Sequence, residues 1–231
     1  MNNQTPHRNS ASQRKTHEDH HDTRSQILRV GGQLFAEKGF DRTTGKEICA
    51  RAGANTAAIN YYFGGMEGLY TTVLLEAHRQ LFTMETLSAI VAAEVTAQAK
   101  LEAVILQLVD AFTEPSASSW MLRVIGREIV APSPFLSFFS EQEVMPKCVM
   151  LKGIVAELVG LPEEHPVVTR GAFFVIAPCI MMLINDRETL KLLYPNFGFE
   201  KSDNADIVRQ MMQFVLGGLA AVVAAEVKLE S

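Results

Sequence analysis

Apolar residues recur at helical rather than alternating spacing along most of the chain. The stretch from Thr23 to Glu114 contains no proline, so long helices can form there. Beyond it, prolines fall between apolar runs of helix length, where a missing amide hydrogen does least harm: Pro115, Pro132, Pro134, Pro162, Pro166 and Pro195. No segment shows the alternation typical of a strand. The pattern therefore predicts an all-α protein of about nine helices.

Residues 1–22 differ from the rest because they are polar and have no periodic apolar positions. Such a segment cannot bury enough surface to offset the entropy lost on ordering it. We therefore expect a disordered arm over 1–22. The first helix is expected to begin at Thr23, whose hydroxyl can cap backbone amides, and to end at Gly39. Its apolar face is formed by Ile27, Leu34 and Phe35.

The next two predicted helices are short, and a turn containing Gly53 separates them. Thr44 is placed to cap a helix over 45–52, and Asn55 is placed to cap a helix over about 56–63. Two short helices joined in this way form a helix-turn-helix, in which the second helix lies in the major groove of DNA. This pattern predicts a DNA-binding function.

The candidate DNA contacts lie at the start of each short helix and along the second one. Asn pairs with adenine, and Thr or Ala methyl groups contact the thymine methyl. Tyrosine hydroxyls donate to phosphate oxygens, and the free amides at a helix start attract phosphate. A purely structural alternative is a three-helix packing unit in which the tyrosines are core residues. The candidates are Thr44, Lys46, Asn55, Thr56, Ala57, Ala58, Asn60, Tyr61 and Tyr62.

The sequence over 23–70 closely resembles the DNA-binding domain of the TetR family of bacterial transcriptional regulators. The motifs that carry the resemblance are FAEKGF, the Thr43-Thr44 step, EICARAG and the YYF ending. The resemblance implies a homodimer that binds an operator in double-stranded DNA. It also implies a helical domain over 71–231 that binds a small-molecule effector and dimerises, with release of the operator by the effector.

Two positions depart from the family pattern. The family usually has a tyrosine where this chain has Asn60, although a subgroup reads Asn-Tyr-His-Phe there. The fourth helix commonly begins Ser-Lys-Glu-Glu, whereas here it begins Gly65-Met66-Glu67-Gly68. The cationic contact of the usual lysine is therefore absent at Met66. A helical small-molecule-binding or interaction protein without DNA binding remains an alternative.

The region after Tyr70 contains the candidate effector residues. Residues 121–134 resemble the effector domain of the TetR subgroup exemplified by CecR. Arg127 and Glu128 interrupt an apolar helix, so they either form a salt bridge within the protein or meet a polar group of a ligand. Aromatic and methionine residues form either core or an adaptable apolar pocket. The candidate pocket residues are Trp120, Arg127, Glu128, Phe174, Met181 and Met182.

Two apolar helices near the end of the sequence are expected to pair between subunits. The first, over 167–193, contains Pro178 and is expected to be kinked or broken there. The last, over about 205–227, carries apolar residues on more than one face, with small residues interleaved, so it needs burial on two sides. The alternative is a helix buried within one subunit. The candidate dimer-interface residues are Phe214, Gly218, Leu219 and Val222.

Composition and charge narrow the class of protein. Hydrophobic residues make up 48% of the chain, typical of a globular protein. Residues 1–70 carry nine Lys or Arg against seven Asp or Glu, while the remainder carries twelve against nineteen. The longest apolar stretch, 171–184, is shorter than a membrane span, and the N-terminus has no signal segment. We expect a cytoplasmic protein with no membrane association.

No catalytic, cofactor or metal site is predicted. The sequence has no GxSxG, Walker, GxGxxG or HExxH motif, and its three cysteines lack CxxC spacing. An enzyme is therefore not expected. The remaining alternative is a metal-responsive regulator, because imidazole and carboxylate groups cluster in the arm and bind zinc or nickel. Those residues are His17, Glu18, Asp19, His20, His21 and Asp22.

Overall fold

The computed structural model describes residues 10–113, 120–185 and 187–229, and it describes side chains from Asp22 onward except those of Leu81, Phe138, Phe139 and Leu229. These ranges contain helices and no strand, which confirms the all-α prediction. The count exceeds nine because short helices stand between the longer ones. The α-helices are α1 (Ser10–Lys38), α2 (Gly45–Ala52), α3 (Ala57–Phe63), α4 (Met66–Leu81), α5 (Met84–Ala92), α6 (Ala97–Thr113), α7 (Trp120–Val130), α8 (Leu136–Phe139), α9 (Met145–Val159), α10 (Pro166–Ile184), α11 (Arg187–Leu193) and α12 (Asn204–Leu229).

Helix α1 begins at Ser10 rather than at Thr23. Residues 10–22, which the sequence pattern assigned to a disordered arm, are therefore helical. Neither proline nor glycine occurs between Ser10 and Asp22, so polar composition alone did not exclude a helix. Residues 1–9 of the expected arm lie outside the described part of the chain.

Contacts between residues divide the chain into two compact units, Met1–Leu74 and Leu75–Ser231. In the first unit, the predicted face of α1 is fully buried. Gly39 ends the helix with a φ of 80°, and its N–H donates to the Phe35 carbonyl at 2.8 Å. The Tyr70 ring lies edge-on to Phe35, with centroids 4.8 Å apart, and it contacts Phe40 at 5.1 Å. These rings close the core of the first unit around α1.

Helix α6 lies at the centre of the second unit, where Leu101 and Ile105 are fully buried. Helices α9, α10 and α12 pack against it. Two glycines allow the helices to approach closely. A Cβ at Gly126 of α7 would meet the Ile184 Cβ at 2.9 Å, and one at Gly171 of α10 would meet the Leu219 Cδ2 at 2.7 Å. Glycine at these positions therefore sets how closely α10 packs against α7 and α12.

Pro178 does not end its helix, because α10 runs through it to Ile184. The predicted single helix over 167–193 is instead two helices, α10 and α11. Within the described residues, α10 and the segment Lys201–Lys228 are long and apolar enough to cross a membrane by length and composition alone. Both also supply buried residues to the core, as helices of globular proteins do, so this remains weak support for a membrane span.

Candidate functional sites

The start of α2 is organised by Thr44 and Glu47. Thr44 is extended, with φ −113° and ψ 146°, and its Oγ1 accepts the Glu47 N–H at 3.3 Å. This confirms Thr44 as the cap of α2. The Glu47 carboxylate accepts from Lys38 Nζ at 2.6 Å and from Arg51 Nη2 at 3.2 Å. The hydrogen bond from Lys38 holds the pKa of Glu47 below its usual value, so two cations balance this negative charge beside the candidate phosphate site.

The start of α3 is organised by Asn55. Its Oδ1 accepts the Ala57 N–H at 2.9 Å, so its side chain satisfies a backbone donor at the first residue of α3. The residue directly before α3 is Thr56, whose side chain makes no capping bond. Reading adenine with both amide groups needs a free acceptor as well as a free donor. Since Oδ1 is engaged in the cap, Asn55 keeps its Nδ2 as the available group in this conformation. Asn60, further along α3, is exposed.

The candidate DNA contacts lie on one side of the two short helices. Thr44, Lys46, Asn55, Thr56, Ala57, Asn60 and Tyr61 are exposed, while Ala58 and Tyr62 are half-buried. The opposite side is buried through Ile48, Cys49 and Ile59. Tyr61 is 77% exposed, so the alternative in which it is a core residue is wrong. The Tyr61 and Tyr62 rings meet edge-on, with centroids 4.8 Å apart.

The candidate pocket residues lie on two helices, α7 and α10. Glu128 is buried on α7, and its Oε1 accepts from Ser133 N at 2.9 Å and from Ser133 Oγ at 2.6 Å. These bonds within the chain fix the turn after α7, so Glu128 has a structural role. Trp120 and Arg127 are half-buried on the same helix, and neither lines the two cavities described below.

The α10 candidates differ in exposure. Phe174 is 61% exposed and Met181 is 55% exposed, while Met182 is buried. Trp120, Arg127 and Glu128 of α7 line neither of the two cavities that the α10 candidates line. The pocket that combines α7 and α10 residues stays a prediction.

Phe174 and Met181 instead line a cavity of ≈ 630 Å³ between α10 and α12, which we call the α10–α12 face. The four candidate dimer-interface residues line it too: Phe214, Gly218, Leu219 and Val222. Phe214 is 80% exposed, whereas Leu219 is buried against Gly171. The structure thus brings two separately predicted residue sets together on one apolar surface.

A second cavity, of ≈ 1050 Å³, was missed from the sequence. It lies between the end of α10, α11, the turn that follows α11 and the first turns of α12, and we call it the α11 groove. Its lining includes Tyr194, Phe197 and Phe199, together with Asp203 and Asp206. The available signal was the run YPNFGF, in which aromatic residues recur in a segment too rich in Pro and Gly to be a helix.

A buried charge cluster was also missed. Glu143 lies in a π-helical turn, Ser140–Val144, and accepts from Arg79 Nε at 2.8 Å and from Lys147 Nζ at 3.4 Å. Lys147 Nζ also lies 2.9 Å from His78 Nδ1. Glu143 and Lys147 are buried. Of these contacts, only the Glu143–Lys147 ion pair could have been predicted from the sequence, because the two residues are four positions apart on a helix.

Burial and charge set the ionisation of this cluster. Burial lowers the pKa of His78 to about 4, and the Lys147 charge acts in the same direction. Burial also lowers the pKa of Lys147. For Glu143, burial raises the pKa, but the Arg79 hydrogen bond and the Lys147 charge leave it below the usual value. His78 is therefore neutral at physiological pH, with Nδ1 able to accept from Lys147.

The metal hypothesis rests on side chains outside the described part of the chain, those of His17, Glu18, Asp19, His20 and His21. Asp22, the last residue of that set, is exposed. Elsewhere among the described residues, no three His, Cys, Asp or Glu side chains are grouped to hold a metal ion. The metal-responsive alternative therefore remains a prediction.

Comparison with known families gives matches to both units. Residues 27–73 match bacterial regulatory proteins of the tetR family. Residues 97–219, more than half of the chain, match the C-terminal domain of the HTH-type transcriptional dual regulator CecR. These matches agree with both resemblances seen in the sequence.

Individual relatives match parts of the chain. It is 26% identical over 138 residues to a probable HTH-type transcriptional regulator, YttP of Bacillus subtilis, covering 59% of this chain and 62% of YttP. It is 47% identical over 47 residues to the HTH-type transcriptional dual regulator CecR of Shigella flexneri, covering 20% of this chain and 21% of CecR. Less than two thirds of each relative's length is therefore matched.

A solved structure has the same fold over most of its length. This is the transcriptional regulator FadR of Bacillus subtilis in complex with stearoyl-CoA, which is 17% identical and superposes with a TM-score of 0.63 over 84% of this chain and 98% of FadR. At this identity the likeness shows the fold alone. The proteins matched are transcriptional regulators. The chain belongs to the TetR family of bacterial transcriptional regulators, and its C-terminal domain is of the CecR type.

Proposed function

We propose that this regulator is a cytoplasmic repressor that binds a palindromic operator as a homodimer and is released by a small, apolar effector. Residues 23–70 form the DNA-binding domain, and residues 71–231 form the effector-binding and dimerisation domain. Two identical DNA-binding domains related by two-fold symmetry match the symmetry of a palindrome.

The observation that carries the proposal is that α2 and α3 together have one buried side and one exposed side. Ile48, Cys49 and Ile59 anchor the two helices in the core of the first unit. The opposite surface carries short side chains at the start of α3, where Ala57 is exposed. Short side chains let the helix approach base edges closely, and the longer Tyr61 at its other end reaches phosphates.

The electrostatics of α2 also favour DNA. Lys46 is exposed in the first turn, next to backbone amides that have no partner within the helix. A phosphate there is attracted by these amides and by the Lys46 charge. The acidic neighbour Glu47 is held by Lys38 and Arg51, so its repulsion of a phosphate is reduced.

The α10–α12 face supports homodimerisation. Large apolar residues on it are exposed in the single chain, including Phe214 and Phe174. Contiguous exposed apolar surface on a monomer marks an interaction site. Because a two-fold interface uses the same surface on both copies, one self-complementary apolar face is sufficient.

The effector acts by binding one state of the dimer more tightly than the other. The α11 groove of the second unit is lined largely by apolar side chains, which supports an apolar effector. Such a molecule binds preferentially to the state in which the spacing of the two DNA-binding domains does not fit the operator. It therefore lowers the affinity of the dimer for the operator.

Footprinting on the intergenic DNA upstream of the chain's own gene tests the proposal. The expected result is two protected half-sites with centres about one helical turn apart, or a multiple of it. Ala57→Glu should abolish protection because it puts a negative charge against the DNA, while a carboxylate in the first helical turn leaves α3 stable. Ala92→Glu, at an exposed position on α5, is the matched control and should retain protection. Protection that survives Ala57→Glu would contradict the proposed recognition surface.

A further inference from the structure

The α11 groove has the size and shape of a ligand site. Its volume of ≈ 1050 Å³ accommodates a drug-sized molecule. It shares Pro178, Met181, Phe214 and Val215 with the α10–α12 face but extends away from that face, along α11 and the turn after it. The groove thus adjoins the proposed dimer surface.

Aromatic rings form much of the apolar lining. Phe197 and Phe199 have ring centroids 5.5 Å apart, and Phe112 of α6 supports both rings, at 6.2 Å and 5.9 Å. Phe199 is buried, whereas Phe197 is 41% exposed and Tyr194 is 59% exposed. A fixed inner ring and two accessible outer rings provide aromatic faces to which a cation is attracted.

The charged lining is acidic only. Asp203 and Asp206 line the groove, and none of its described lining residues is Lys, Arg or His. Asp203 Oδ2 accepts the Glu200 N–H at 2.9 Å, which fixes that carboxylate in place. Asp206 pairs with Arg209 at 2.6 Å, but Arg209 is on the exposed surface and is not part of the lining.

The helix start in the groove does not favour an anion. Helix α12 begins at Asn204, so its positive dipole end lies beside the groove. Asp203 and Asp206 occupy that end. When the Arg209 charge that pairs with Asp206 is counted, the two carboxylates still leave one net negative charge, which exceeds the half-charge of a helix terminus. An anionic ligand would therefore meet net repulsion, whereas a cation would be attracted.

We propose that the α11 groove binds an apolar molecule carrying a positive charge, with the cation between the aromatic rings and the two carboxylates. A regulatory effect of this ligand rests on the proposed function, in which an effector lowers the affinity of the dimer for DNA. Binding itself does not depend on that function. The groove thereby sets the effector class as hydrophobic cations rather than fatty acids or other amphiphilic anions.

Tetraphenylphosphonium and tetraphenylborate test the charge preference, because they are nearly identical in size and opposite in charge. Calorimetric titration of the full chain should show tetraphenylphosphonium binding with a dissociation constant at least about tenfold lower, a difference of about 1.4 kcal/mol. Equal binding of the two ions, tighter binding of the borate, or no binding of the phosphonium would overturn the proposal.

Two variants locate the site. Asp206→Asn removes one charge without changing shape and should weaken phosphonium binding several-fold, and Phe197→Leu should weaken it through the lost ring. Glu188→Gln on α11 is the matched control, because Glu188 is exposed and does not line the groove. Equal affinity in Asp206→Asn, Phe197→Leu and the unaltered chain would place the cation elsewhere and contradict the proposal.

A DNA mobility-shift assay in the absence of both tetraphenyl ions separates this inference from the proposed function. Charge-selective binding in a chain that binds no DNA would contradict the repressor and still support the groove. Normal DNA binding without cation binding would contradict the groove alone. Release of bound DNA by tetraphenylphosphonium, but not by tetraphenylborate, would support both.

Discussion

Arg79 Nε donates to Glu143 Oε1 at 2.8 Å, which joins the end of α4 to the π-helical turn before α9. The two residues are 64 positions apart in the chain. Glu143 is buried and also bonds Lys147, so one carboxylate holds two cations. Removing either side of a buried ion pair leaves an uncompensated charge, which costs more than the pair itself contributes.

Glu143→Gln should therefore lower the free energy of unfolding by about 3 kcal/mol, because buried Lys147 loses its counter-charge. Chemical denaturation at neutral pH measures the loss. Glu141→Gln, an exposed neighbour, is the control and should have little effect. The double variant Glu143→Gln with Lys147→Met should recover most of the stability, and a double variant as unstable as the single one would contradict the explanation.

His78 should make stability dependent on pH between its ordinary pKa of 6.5 and its folded value of about 4. In that range the unfolded chain binds a proton at His78 and the folded chain does not, so stability falls as pH falls. The groups facing His78 are Lys147 and Glu143, with Arg79 and Glu85 acting on Lys147.

His78→Gln should flatten the dependence on pH in that range, measured as unfolding midpoints in denaturant at a series of pH values. A residual loss of stability near the acidic end is expected. The pKa of Glu143 is lowered in the folded chain, so the stability that its carboxylate contributes is lost as Glu143 protonates. An unchanged slope in the upper half of the range would show that His78 is not the titrating group.

Lys46→Ala should weaken operator binding equally for different sequences and reduce the slope of log affinity against log salt by about one, as loss of one phosphate contact does. Fluorescence anisotropy over a salt series measures both quantities. Lys152→Ala on α9 is the control and should leave the slope unchanged. A slope identical to that of the unaltered chain would exclude Lys46 from phosphate contact.

Phe214→Asp should convert the proposed dimer to a folded monomer, because a charge cannot be buried unpaired at an apolar interface. Phe214 is 80% exposed in the single chain, so its replacement leaves the subunit core intact. Light scattering and circular dichroism check mass and folding. Leu192→Asp, at an 81% exposed position on α11, should remain dimeric. A Phe214→Asp variant that stays dimeric would place the interface on another surface.

Gly126→Ala should destabilise the second unit by about 1–3 kcal/mol, because the added methyl overpacks the contact between α7 and α10. The new Cβ would lie 2.9 Å from the Ile184 Cβ and 3.2 Å from its Cα, and the backbone cannot move aside as a flexible side chain would. At Gly153 of α9 the nearest atom is 3.5 Å away, at the end of the Glu163 side chain. Gly153→Ala should therefore be neutral or stabilising, and equal losses in the two variants would contradict the packing argument.

Features that depend only on neighbouring residues could be predicted from the sequence. The caps at Thr44 and Asn55, the stop at Gly39 and the buried face of α1 are set within a few positions of the chain, so spacing and residue type were sufficient. The helix-turn-helix and the family assignment follow from the same local features. The start of α1 was misjudged because polar composition does not by itself exclude a helix.

Features that join distant segments depend on the tertiary structure. The charge cluster connects α4 to α9, and the α11 groove combines α10, α11 and α12. Tertiary packing also left Met181 exposed and Met182 buried, because the packing partners of α10 determine which residue faces the core. Periodicity shows that a helix has an apolar face, but the neighbouring helices determine whether that face is core, groove or interface.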